Sequence, residues 1–199
     1  MTLFTSPTSP FVRKVRVMLH ETGLLEHTTQ VDVKANPLGS DPTILAVNPV
    51  GKIPALQREE GPAIYDSRVI SRYLNARAGT DLYPDARIWE VLTLEASADA
   101  IMEAAVLVLY EKRLRPEPLE SWVTGQQTKI FNGLDVLESR WMSHLNGPHD
   151  AGQIAVGVAL GYLDFRFDSW NWRADRPALA VWADKYLQRP AMQATAPHD

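Results

Sequence analysis

Two short stretches of this chain carry the residue types and spacing that suit a small charged ligand. One is Asn48-Pro49-Val50-Gly51-Lys52-Ile53-Pro54-Ala55-Leu56, and the other, ten residues on, is Asp66-Ser67. Pro54 stands where an apolar strand should begin, so that strand starts with an amide donor missing. Gly51 and Pro49 upstream force a tight approach, and the Ile53-Pro54 bond is a candidate for the cis isomer. The N–H and C=O of Ile53 are then expected to be free to pair with an extended, peptide-like ligand. Asp66 and Ser67 are helix-capping residues in front of the helical pattern Arg68-Val69-Ile70-Ser71-Arg72-Tyr73-Leu74. A helix N-terminus with a hydroxyl is an anion site, and a carboxylate beside it is a cation site. Together they suit the zwitterionic end of an amino acid. Ser9-Pro10 marks a second helix start, with proline at the first helical position. A hydroxyl there caps the helix; it can also donate to an anion that the helix dipole favours.

The elements that must position these residues are legible in outline. Residues 2–5 read as a strand, and Val12, Val15, Met18 and Leu19 form an apolar helical face stopped by Gly23. Residues 28–33 alternate like a half-buried strand, and 41–47 make one or two helical turns. Strands at 55–57 and 63–65, joined through Glu59-Glu60-Gly61-Pro62, precede a helix from Ser67 to about Ala76. A crossover helix makes the first two strands parallel, and a short turn makes the last two antiparallel. Residues 77–85 contain Gly79 and Pro84 and read as a linker. Beyond it the pattern is helical. Ile88, Val91, Leu92, Ile101, Met102, Ala105 and Leu109 mark one helix, and Val123, Ile130, Leu134, Leu137, Trp141 and Leu145 a second. A third, from Ala151 to about Phe165, is apolar almost all round and so belongs inside a bundle. Asp150 and Gln153 match the logic of a capping box at its start.

These motifs resemble the glutathione transferase superfamily. Residues 48–56 followed by Asp66-Ser67 look like its N-terminal domain, and residues 6–16 are similar to the opening of its bacterial serine-type members. Residues 158–166 resemble the buried helix of its helical domain. The resemblance implies an α/β thioredoxin-like N-terminal domain (1–76), a linker (77–85) and an all-α helical C-terminal domain (86–199). It implies glutathione as co-substrate, with Ser9 as the catalytic residue that stabilises its thiolate for attack on a small hydrophobic electrophile, as in detoxification. Ser6, Thr8 and Thr5 are rivals to Ser9, whereas Phe4 stands where tyrosine-type relatives carry their hydroxyl. By the same likeness Ile53 holds the cysteinyl part through its backbone, Asp66 and Ser67 hold the γ-glutamyl end, and Lys52 approaches the glycyl carboxylate. Asp99 resembles an acidic, glutathione-binding residue that some relatives extend across a dimer interface towards the partner's γ-glutamyl group, and the family likeness makes a homodimer the expectation. The acceptor pocket is expected to be lined from the C-terminal helices, with Tyr110, Val106 and Trp170 as candidates. The alternative is a non-catalytic glutathione-binding or protein-interaction member of the same fold.

Composition narrows the remaining classes. With 45% hydrophobic residues, the chain can bury a sizeable core. A net charge of −4 and the lack of a basic run disfavour nucleic acid. The absence of cysteine excludes disulfide scaffolds, zinc ribbons and dithiol redox chemistry. Five scattered histidines, with no His-x-x-x-His pair, predict no metal site. No apolar run approaches the ~20 residues of a membrane span. No secretory signal is visible, so a cytoplasmic protein is expected.

Overall fold

A computed structural model describes residues 1–198 and divides into two compact units. The first is Met1–Asp85 together with the residues from Ala194 on, and the second is Ala86–Gln193. The first unit holds β1 (Thr2–Thr5), α1 (Pro10–Glu21), β2 (Thr29–Asp32) and a small hairpin, β3 (Ala35–Asn36) with β4 (Gly39–Ser40). There follow α2 (Pro42–Leu45), β5 (Ala55–Gln57) and α3 (Ser67–Ala78). Three strands pair in the order β2-β1-β5, β1 parallel to β2 and antiparallel to β5. Because side chains alternate across a strand, Phe4 and Ala55 face one way and pack with Ile44 of α2. Leu3 and Leu56 face the other, where α3 packs on β5 and α1 on α3.

Two local expectations are corrected. The strand at 63–65 shrinks to one antiparallel bridge, Leu56 with Ile64, closed by two 2.9 Å hydrogen bonds. Pro62 has no amide to donate, and Asp66 turns the chain into α3 two residues later, so only Ile64 has both groups opposite a partner. The helix that starts at Ser67 runs two residues further than expected, to Ala78, because Gly79 supplies the left-handed cap at φ 65°.

The second unit is helical. It contains α4 (Ile88–Leu114), α5 (Glu120–Val136), α6 (Met142–Leu145), α7 (Ala151–Phe167), α8 (Pro177–Tyr186) and α9 (Pro190–Ala194), the last of which ends at the unit boundary. Helix α7 is buried continuously from Ala151 to Leu160, with α4 and α8 packed on it. A Cβ on Gly157 would come within 2.5 Å of the Tyr186 ring, so this crossing requires glycine. The predicted second helix is interrupted: residues 137–141 wind as a π turn. Glu138, in that turn, accepts hydrogen bonds from the N–H groups of Ala178 (3.1 Å) and Leu179 (2.7 Å). It thereby caps α8, whose own N-cap residue, Arg176, offers no acceptor. The capping box at α7 forms as expected, with Asp150 and Gln153 bonding reciprocally. Asp150 is fully buried and also meets His144 Nε2 at 2.8 Å and Arg87 at 3.3 Å. No helix among the described residues is long and apolar enough to cross a membrane.

Candidate functional site

Strand register gathers the first unit's candidates. The end of β1 leads into residues 6–9, and Phe4 pairs with Ala55, so that loop emerges beside the start of β5. Leu56 bridges Ile64 in antiparallel fashion, so the chain running from Ile64 to Asp66 passes alongside Pro54. Three loops thus meet at one end of the sheet. They carry Ser9 at the start of α1, Ile53-Pro54 at the start of β5, and Asp66-Ser67 at the start of α3.

Asn48 builds the middle loop. It is 2% exposed; its amide donates to Lys52 O (2.7 Å), and its Oδ1 accepts from Val50 N–H (3.0 Å). Gly51 has φ 68°, and a Cβ there would lie 2.7 Å from Ser40 Oγ, so only glycine fits. The Ile53-Pro54 peptide is cis. Among the described residues Ile53 N–H and C=O make no hydrogen bond. A backbone pair left open this way is a docking edge for an extended ligand. The Lys52 side chain is exposed to solvent.

Ser9 caps α1 with its Oγ accepting the Val12 N–H at 3.3 Å, which leaves the hydroxyl proton free to donate. Among the rivals, Thr5 has spent its proton on Asp32, and the Ser6 and Thr8 hydroxyls lie 3.4 Å apart. At α3, Asp66 caps through Arg68 N–H (3.0 Å), and its other oxygen pairs with the Arg68 guanidinium at 3.0 Å. Burial pushes the Asp66 carboxyl up, but Arg68's hydrogen bond and charge, with Lys14, outweigh it and hold the group below its usual range. Ser67 is 2% exposed, and its hydroxyl makes no hydrogen bond among the described residues. The result is a helix N-terminus with an unengaged hydroxyl and an ionised carboxylate, and it can take a carboxylate and an ammonium side by side.

Asp99 lies on α4 of the helical unit and is 3% exposed. Trp170 is half-buried, stacks on Phe167 at 4.1 Å and meets Phe131 edge-on. No group of three potential metal ligands converges among the described residues. Two contributors escaped the sequence reading. Arg68 carries a signal, since it follows Asp66 within bidentate reach. Lys14 carries none: it is 1% exposed, and only packing reveals that its charge acts on Asp66.

The chain is similar to known proteins along its whole length. The family model of the glutathione S-transferase N-terminal domain matches residues 8–77, and that of the C-terminal domain matches residues 120–185. A glutathione transferase family member from Pseudomonas fluorescens Pf-5, crystallised with bound glutathione, is 45% identical with a TM-score of 0.96, covering 100% of this chain and 99% of that one. A structure of a Pf-5 family member with bound S-(propanoic acid)-glutathione is likewise 45% identical, with a TM-score of 0.91 and 100% coverage of both chains. Glutathione S-transferase 3 of Zea mays is 37% identical, across 97% of this chain and 91% of its own length. The chain belongs to the glutathione S-transferase family.

Proposed function

We propose that this protein is a serine-type glutathione transferase. The observation that carries the reading is the open N–H and C=O pair of Ile53, flanked by the starts of α1 and α3. On this reading Ile53 pairs with the cysteinyl backbone of glutathione in antiparallel fashion. Asp66 takes the γ-glutamyl ammonium, and the Ser67 hydroxyl with the α3 N-terminus takes its carboxylate. Lys52, on the same loop, faces the glycyl carboxylate as a solvated counter-charge. Asp99 is assigned no direct contact within one chain, because it is buried in its own unit. The relatives' bound glutathione and bound conjugate support the same ligand here.

The chemistry asked of the site is modest. A free thiol with a pKa near ~8.5 is mostly protonated at neutral pH, and the thiolate is the nucleophile. The Ser9 hydroxyl donates to the sulfur while its oxygen holds the α1 cap, and the helix dipole favours the same negative charge. The thiolate then attacks a small, largely apolar electrophile. The working form is a cytoplasmic homodimer.

The test is calorimetry with glutathione on the wild type, Asp66→Asn and Ser67→Ala, beside a chromogenic conjugation assay. Binding that weakens about tenfold or more in either variant is the expected result, as for loss of a hydrogen-bonded charge. Wild type that fails to bind glutathione overturns the reading. Binding without turnover of any electrophile leaves the ligand and removes the enzyme.

A further inference from the structure

The first unit carries a cavity of about 300 Å³ on the β2 side of β1, whereas Ile53 lies on the β5 side. It is lined by Thr5, Pro7, Arg16, Gln30, Asp32 and His198, none of which the glutathione reading uses. Strand register builds its floor. β1 and β2 run parallel with Leu3 opposite Gln30 and Thr5 opposite Asp32, so Thr5, Gln30 and Asp32 project from one face of the sheet. Arg16, on the second turn of α1, supplies a wall. The Thr5 hydroxyl donates to Asp32 Oδ1 and fixes that carboxylate, while Oδ2 has no partner among the described residues. Arg16 Nε is buried without a hydrogen-bond partner, and no ion pair joins its guanidinium to Asp32 or to another carboxylate among the described residues. One cavity therefore holds a guanidinium and a carboxylate whose charges are not spent on each other. A buried donor left unmade is costly, and a ligand would relieve it. Gln30, Asp32 and His198 are exposed, so the cavity is open to solvent.

We propose that this cavity binds a small zwitterion, an α-amino acid, with its carboxylate on Arg16 and its ammonium on Asp32. The planar fork of a guanidinium matches the two oxygens of a carboxylate, and a carboxylate accepts from an ammonium. The two charges of the lining cancel. A ligand with both signs meets only attraction, whereas a simple anion is repelled by Asp32 and a simple cation by Arg16. The volume is at the small end of ligand sites, which suits an amino acid more than a nucleotide. The Gln30 amide donates and accepts, and so favours a polar side chain on the ligand. The site stands without the glutathione reading.

The experiment titrates the full chain, without glutathione, by calorimetry. The probes are L-glutamine, its α-amide, which lacks the carboxylate, and N-acetyl-L-glutamine, which lacks the ammonium. Glutamine is expected to bind about tenfold tighter than either, as for a charge-assisted contact at each end. Arg16→Gln should abolish the preference over the α-amide, and Asp32→Asn the preference over the N-acetyl compound. Asp32 is exposed and an asparagine still accepts from Thr5, so Asp32→Asn is expected to keep the wild-type melting temperature and carries the test should Arg16→Gln fail to fold. Because Asp66-Ser67 is also assigned a zwitterion, Asp66→Asn tells the two sites apart: glutamine binding should persist in it unchanged. No glutamine binding, equal affinity for the three probes, a preference over the N-acetyl compound that survives Asp32→Asn, or loss of binding in Asp66→Asn each overturns the proposal.

Discussion

Ser9→Ala separates the two jobs assigned to one hydroxyl. The cap it makes on Val12 N–H is long, at 3.3 Å, so its loss should cost about 0.5–1 kcal/mol, the low end for N-caps. For a chain of this length that lowers Tm by roughly 1–4 °C. The thiolate bond is larger: hydrogen bonds to charged groups contribute about 1.5–3 kcal/mol, or roughly 1–2 pKa units. The bound thiol should therefore move from near ~7 back towards ~8.5, and turnover at neutral pH should fall about tenfold. Ser9→Asp sharpens the comparison. It restores a capping acceptor and hence Tm, yet sets a carboxylate against the thiolate and should raise the thiol pKa further. Thiolate absorbance of bound glutathione against pH, beside thermal melts of the same samples, measures both quantities. If Ser9→Ala melts earlier but its bound thiol titrates within about 0.3 units of wild type, the hydroxyl is a cap alone and the mechanism is wrong.

Three further outcomes follow from the same geometry. Asp150→Ala removes the α7 cap and orphans His144 and Arg87 around a fully buried position, so denaturant unfolding should register a loss of about 2–4 kcal/mol, with Asp150→Asn intermediate; a loss near zero would contradict the network. The Asp66 carboxyl, pushed up by burial but held below its usual range by Arg68 and Lys14, keeps its charge above the ordinary carboxylate value and loses it only as pH falls through the lowered one. Calorimetric glutathione affinity should therefore show no Asp66-dependent loss down to about pH 5, and a limb above that which disappears in Asp66→Asn would refute the assignment. Tyr162, raised to about 12, lends stability that is complete below the ordinary phenol value and lost as pH rises towards 12. Ultraviolet titration of wild type minus Tyr162→Phe should show a transition near 12, and one near the ordinary ~10 would place the phenol in solvent.

The sequence alone determined what depends on neighbours along the chain. Ser9, Asp66 and Asp150 cap helices because an acceptor two or three residues before an amide is a local device. Gly79 ends α3 through its own backbone freedom, although the helix was expected to stop two residues sooner, and the almost wholly apolar stretch from Ala151 predicted the buried helix, since period and backbone freedom need no tertiary information. The residues nominated around Ile53-Pro54 and Asp66-Ser67 were legible because their chemistry lies in consecutive backbone groups. Only the tertiary structure decided that these loops share one end of the sheet, since register between β1, β5 and Ile64 is a long-range choice. It alone buried Lys14 so that its charge reaches Asp66, and brought Glu138 to cap a helix forty residues later in the chain. It also buried Tyr162, so that desolvation pushes its phenol up to about 12 despite the charges of Arg166 and Arg113. The strength of a charge depends on what surrounds it and how much water is excluded, and packing, not spacing, sets both.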